Sequence, residues 1–166
     1  VDLARDGGRV RRLSLLDFQA MITQKFPTIR KEWSKTIYAA HDLTGVTMHP
    51  DAMTGRHMHE WTITLVWVAE FNCRLGFQRD EHAIEQAWGE RIAELNRKNL
   101  SELMALPATS ENFACWLLFH WLPRLTPHEI NHELTAVRVT KDGHSCEIVH
   151  NEGNKRAWQS FGGEVV

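Results

Sequence analysis

Three histidines carry the chemistry that this chain's residue types and spacing allow: His41, and His57 with His59 as an H-x-H pair. One intervening residue puts both side chains of the pair on one face of a β-strand, because strand side chains alternate with period two. The run Glu60-Trp61-Thr62-Ile63-Thr64-Leu65-Val66-Trp67 continues that alternation, with Trp61, Ile63, Leu65 and Trp67 on the histidine face. His41 ends a second strand-like run from Thr36 to Ala40 and shares its face with Ile37 and Ala39. Two neighbouring strands would then aim three imidazoles at one point. Three protein ligands with an open fourth position are the pattern of a catalytic zinc, whereas structural sites close with four ligands, often thiolates. H-x-H also arises by chance among histidines that merely find hydrogen-bond partners, so spacing alone leaves both readings open.

The elements that must position these side chains follow from periodicity. Ser14 reads as an N-cap, with Leu15, Phe18, Ile22 and Phe26 at helical spacing up to Pro27. Strands are expected over residues 33–41 and 57–71. Asp80 can cap a helix over 81–95 with a stripe of Ile84, Ala87, Trp88, Arg91, Ile92 and Leu95. Thr109 caps a second, apolar and therefore buried helix, with Glu111 meeting its dipole and Pro123 ending it. Leu134–Thr140 reads as a third strand, and Asp142-Gly143 as a hairpin turn into a fourth from Ser145 to His150. The order β-β-α-α-β-β predicts an α+β unit: a four-stranded antiparallel sheet with two helices on one face, plus an extra N-terminal helix. The Gly- and Arg-rich start and the Gly-containing end are expected to be loose. The basic run Arg9-Val10-Arg11-Arg12 is read as a solvated tail.

Composition narrows the partners. A length of 166 residues suits one domain. A net charge of −2 argues against a generic nucleic-acid or membrane-surface binder. No apolar stretch approaches the roughly 18 residues that span a bilayer. The start, Val1 to Arg5, has neither an initiator Met nor a signal-peptide run, as expected of a trimmed chain. Cys73, Cys115 and Cys146 are odd in number and form no C-x-x-C, which suits reduced thiols in the cytoplasm. Seven Trp can fill a core or line a pocket for a flat aromatic ligand.

This order of elements, with Ala39-Ala40-His41, Arg56-His57-Met58-His59 and Pro107-Ala108-Thr109-Ser110-Glu111-Asn112, resembles the 6-pyruvoyltetrahydropterin synthase and 6-carboxytetrahydropterin synthase family. The resemblance covers residues 35–150, so that 1–32 stand as an N-terminal extension, 33–150 as the pterin-synthase-like domain and 151–166 as a C-terminal tail. The family's A-A-H strand end, H-G-H-N, G-x-x-x-D, L-D-H-x-x-L-N and P-T-x-E-N-x-A motifs stand here at Ala39–His41, His57–Glu60, Gly76–Asp80, Leu95–Ser101 and Ala108–Ala114. What the resemblance implies is a tunnelling fold, with sheets closing into a barrel as a homo-trimer or stacked homo-hexamer. It also implies zinc on His41, His57 and His59, and a small-molecule substrate bound between subunits.

The departures from the family are chemical. Its Cys, four residues before the H-x-H pair, is Met53, whose thioether has no proton to lose. Its proton-relaying Asp-His pair falls on Asn96-Arg97, neither of which acts as a base near neutral pH. Its pterin-anchoring Glu is matched by Lys141, a cation that cannot accept N–H donors and suits a substrate carboxylate or phosphate. Asp51 and Glu111 are the remaining acid-base candidates, with Thr109 and Ser110 lining a pocket. Asp51 can equally be a solvated loop acid, and Thr109 and Glu111 occur as cap residues in any helix. Glu60 follows His59, but alternation points it away from the metal face. His128 and His132 are helically spaced but read as a surface pair beside Pro127.

Three functions are compatible with this set. One is a zinc-dependent lyase or cyclase in specialised metabolism, joining or closing an aldehyde, sugar-like or phosphorylated chain on a heteroaromatic amine. The second is a pterin or deazapurine synthase with relocated acid-base groups. The third is a non-catalytic family member that binds a small molecule or steadies a partner. Retention of all three metal ligands with loss of the acid-base set favours the first.

Overall fold

The computed structural model describes residues 5–6, 9–10, 28–46, 54–70, 85–125 and 134–165. The expected helix over residues 14–26, the loop carrying Asp51 and Met53, and the His128/His132 pair lie outside these residues. Near the start, the two-residue strands β1 (Arg5–Asp6) and β2 (Arg9–Val10) pair with each other.

A four-stranded antiparallel sheet in the order β3-β4-β5-β6 carries the rest. Strand β3 spans Thr28–His41 and β4 spans His57–Glu70. Strand β5 spans Leu134–Lys141 and β6 spans His144–Val149. Five residues more of β3 are extended than apolar alternation alone indicates. Thr28–Glu32 is polar but for Ile29, and pairing with Val66–Glu70 completes its ladder. The β5–β6 connection is the expected two-residue turn, with positive φ at both Asp142 (51°) and Gly143 (80°). That is the mirror-image turn whose twist matches a right-handed hairpin.

The two faces of the sheet differ as period two requires. One presents Ile37, Ala39, Trp61, Ile63, Leu65, Trp67, Val137 and Val139 to the core. The other carries hydroxyl and charge ladders: Ser34 with Thr64, Thr36 with Thr62, Thr140 with Ser145, and Arg138 bridging Glu32 and Glu147.

Helical elements cover the core face. Helix α1 begins as a wide π turn, Glu85–Gly89, and continues as Glu90–Ala93, burying Trp88 and Ile92. Helix α2 is short, Leu100–Leu103. Helix α3 runs as Ser110–Trp116, a π segment Leu117–Trp121 and a last turn Leu122–Leu125. It is buried along Phe113, Ala114 and Trp116–His120, as its apolar composition predicts. Pro123 does not end it. A proline has no N–H to give the preceding turn, and the π segment before it is the local widening that accommodates such a residue.

The C-terminal segment is a correction. Rather than a loose tail, Glu152–Ser160 forms helix α4, capped by Asn151, whose side chain accepts from the Asn154 N–H. Its Trp158 is buried in the core, and the indole N–H donates to the Glu164 carbonyl. Gly153 and a polar face hide the helical signal, and one aromatic anchor supplies the docking that local propensity lacks.

Candidate metal centre

Register places the three histidines together. His41 lies directly opposite His57 across the β3–β4 ladder, and His59 opposite Ala39. Because β3 and β4 share their core-facing phase, all three rings turn to the same side. Their ligand atoms lie within 4.8 Å of one another. The Nε2 atoms of His41 and His57 are 3.1 Å apart. Trp61 forms the floor, edge-on to His41 at 5.4 Å between centroids, with Phe113 of α3 behind it at 5.4 Å. The Trp61 N–H is spent on the Ala39 carbonyl, so the indole offers the site only its apolar surface.

Each imidazole is tied from behind. His41 Nδ1 donates to the Ala108 carbonyl at 2.8 Å, and His57 Nδ1 to the Gly55 carbonyl at 2.7 Å. His59 Nδ1 lies 3.0 Å from an Asp142 carboxylate oxygen. Outer acceptors on Nδ1 fix the proton there and leave the Nε2 lone pair as the coordinating atom. Two such lone pairs facing each other at 3.1 Å repel unless a cation lies between them. That separation is close to the roughly 3.3 Å between tetrahedral ligands at Zn–N distances of about 2.05 Å. The donor set therefore fits zinc with a fourth position open. Burial holds His41 well below the usual imidazole range, at about 4, with the Lys141 charge pushing the same way and the Ala108 carbonyl opposing. His41 is thus neutral, the form a metal requires, at any physiological pH.

The other expected residues fall unevenly around this centre. Lys141 pairs with Trp61 in the β4–β5 register and so points to the same face. Its ammonium sits 5.6 Å from the Trp61 ring centroid and 4.0 Å from the Asp142 carboxylate, and its charge acts on His41. Thr109 caps α3, its hydroxyl accepting from the Asn112 N–H, and Ser110 opens that helix one residue further on. Both follow Ala108 in the chain, whose carbonyl holds His41. Glu111 is exposed on the first turn, where its charge adds to burial, the larger cause, in raising the Cys115 and Cys146 thiols. Asp51 lies outside the described residues. Glu60 points away from the centre, as alternation predicts, and accepts from the Tyr38 hydroxyl at 2.7 Å.

Asn96 and Arg97 have structural work. The Asn96 side chain accepts from the Tyr38 N–H, the Arg97 N–H donates to the Tyr38 carbonyl, and the Ala40 N–H donates to the Lys98 carbonyl. This segment closes the outer edge of β3 beside His41. Arg97 takes a positive φ of 63° to do so. Two contributors escaped the sequence reading. Asp142 read as turn chemistry alone, and Ala108 offers only a backbone carbonyl, for which residue type carries no signal.

Among the described residues, no helix is long and apolar enough to cross a membrane. No curated protein matches the chain. The structure is similar to that of 6-pyruvoyl tetrahydropterin synthase from Caenorhabditis elegans, with a TM-score of 0.64 at 15% sequence identity, covering 78% of this chain and 100% of that one. The sequence profile of 6-pyruvoyl tetrahydropterin synthase matches residues 28–152, most of the chain and the whole of the β3–β6 unit. This chain therefore belongs to the 6-pyruvoyl tetrahydropterin synthase family.

Proposed function

We propose that this protein is a zinc-dependent lyase or cyclase whose chemistry has moved away from the family's usual pterin reaction. The observation that carries it is the convergence of three back-tied imidazoles beside a cation, Lys141, which the resemblance matches to the family's pterin-anchoring Glu. Zinc held by His41, His57 and His59 would supply Lewis-acid polarisation of a carbonyl or of vicinal hydroxyls. Lys141 would hold a substrate carboxylate or phosphate against the apolar face of Trp61. Thr109 and Ser110 would line the pocket, and a carboxylate, Asp51 or Glu111, would carry the proton. A condensation or ring closure on a heteroaromatic amine needs one polarised carbonyl and one proton acceptor, and not a full relay. The engagement of Asn96 and Arg97 in closing the β3 edge supports the absence of the usual relay.

The free thiols of Cys115 and Cys146 suit a reducing cytoplasm. Strands β3 and β6 form the two edges of the sheet, and pairing β6 between copies with the part of β3 before Tyr38, where residues 96–99 take over its edge, would close a barrel as a trimer or hexamer. A monomer by light scattering at micromolar concentration would exclude that assembly.

The chemistry is tested by incubating zinc-loaded protein with dihydroneopterin triphosphate. The expected result is no release of triphosphate. Turnover at an ordinary enzymatic rate would overturn the reading and return the chain to pterin chemistry with relocated acid-base groups.

A further inference from the structure

The three outer acceptors around the histidines are not alike. His41 and His57 give their Nδ1 protons to main-chain carbonyls, which any sequence would present once the backbone is in place. The Thr54 hydroxyl also lies 3.1 Å from His57 Nδ1, but His59 is met by a carboxylate, that of Asp142, 83 positions further along the chain and at the tip of a different hairpin. The turn does not account for that choice. With φ positive at Asp142 and Gly143, it asks for Asn, Asp or Gly at its first position, and Asn or Gly serves the backbone equally well. The ionised carboxylate is the one option that adds a charged acceptor. The same oxygen, Oδ2, also lies 4.0 Å from the Lys141 ammonium, so one group touches both the ligand ring and the cation beside it.

We propose, resting on the zinc reading of the three histidines, that Asp142 is a positioning residue for the metal centre: its carboxylate takes the Nδ1 proton of His59 and holds the ring as the tautomer whose buried Nε2 faces the metal. The His59 ring packs edge-on to both other imidazoles, 4.9 Å from His41 and 4.6 Å from His57 between centroids, and the carboxylate adds the acceptor that sets which nitrogen carries its proton. A carboxylate behind a ligating imidazole also makes Nε2 a stronger donor than a carbonyl does, and loss of such a partner lowers metal affinity by about 10- to 100-fold.

The test uses Asp142→Gly and Asp142→Asn in the full chain. Glycine adopts the left-handed turn conformation without strain, so the metal-free variant is expected to unfold at nearly the wild-type temperature. Zinc affinity is read by competition with a chromophoric chelator. The tautomer of His59 is read in metal-free protein from nitrogen-15 chemical shifts of its ring. Asp142→Gly should raise the zinc dissociation constant about 10- to 100-fold and convert His59 from one Nδ1–H tautomer to a mixture. Asp142→Asn, which keeps a neutral acceptor, should recover part of both. Zinc affinity within twofold of wild type in Asp142→Gly, or an Nε2–H tautomer of His59 in the wild-type protein, would overturn the proposal. A wild-type protein that takes up no zinc would defeat the metal reading instead. The tautomer measurement then decides for Asp142 by itself, a shift in Asp142→Gly upholding its role and no shift removing it.

Discussion

The ring nitrogen Nδ1 of His41 lies 2.8 Å from the carbonyl oxygen of Ala108, 67 residues away in the chain. The bond joins the end of β3 to the residue before the cap of α3, and both partners are fully buried. It couples the helix-start run of this chain to its strand-end histidine: one supplies the acceptor that orients the other.

Removing that ring has two effects. His41→Ala should abolish stoichiometric zinc and also leave the buried Ala108 carbonyl without its donor. A buried unsatisfied acceptor costs about 1–3 kcal/mol, so metal-free His41→Ala should be less stable by at least that much. His57→Ala should lose zinc equally with a smaller change in metal-free stability, because Gly55 is only half-buried. Elemental analysis and urea unfolding of both variants separate the two effects.

Arg97 carries a backbone conformation that costs a side-chain-bearing residue about 1–2 kcal/mol. Arg97→Gly removes that strain at some cost in chain entropy, and a net gain of up to about 1 kcal/mol is expected in thermal or urea unfolding. Asn96→Ala should instead lose about 1 kcal/mol, by withdrawing the acceptor from the Tyr38 N–H. A relay role for these residues would show as a large loss of activity in Arg97→Gly without loss of fold.

Cys146 should be a slow nucleophile. Burial, with the nearby charge of Glu111 second, pushes its thiol up to about 11, and Cys115 is raised for the same reasons. The thiolate is the reactive form, and at pH 8 only roughly one Cys146 in a thousand carries it at any moment, which slows the reaction in proportion. In a Cys73→Ser background, alkylation by iodoacetamide should be slow at pH 8 and climb as pH approaches 11. Rapid labelling at neutral pH, with the fold intact, would show that the thiol is not enclosed as described.

Gly163 should tolerate no side chain. A Cβ there would lie 2.1 Å from the Trp158 ring, whose own neighbours leave it nowhere to go. Gly163→Ala should therefore undock Trp158, costing a sizeable part of the about 3–5 kcal/mol of a buried Trp→Ala change. The measurable signs are a lower unfolding temperature and faster amide exchange over residues 152–165. Unchanged exchange would mean that α4 is not held by this contact.

The alternation of apolar residues from Trp61 to Trp67 was enough to give both strand and face. A residue at i+2 in a strand has no choice but to share a side, so His57, His59 and Trp61 were legible together. The same holds for Ile37, Ala39 and His41, for the Asp142-Gly143 turn and for the Thr109 cap, all of which are local consequences of backbone geometry. Helix α4 was not legible, because its stability comes from one buried Trp158 rather than from an apolar stripe. Nor was the continuation of α3 through Pro123, where packing of Leu118, Phe119 and Leu122 outweighs a local helix-breaking signal. The histidines' identity as candidate ligands was carried by the sequence. Their tautomers were decided only in three dimensions, by Gly55, Ala108 and Asp142, because a hydrogen-bond acceptor from another element is chosen by register and packing and leaves no periodic trace along the chain.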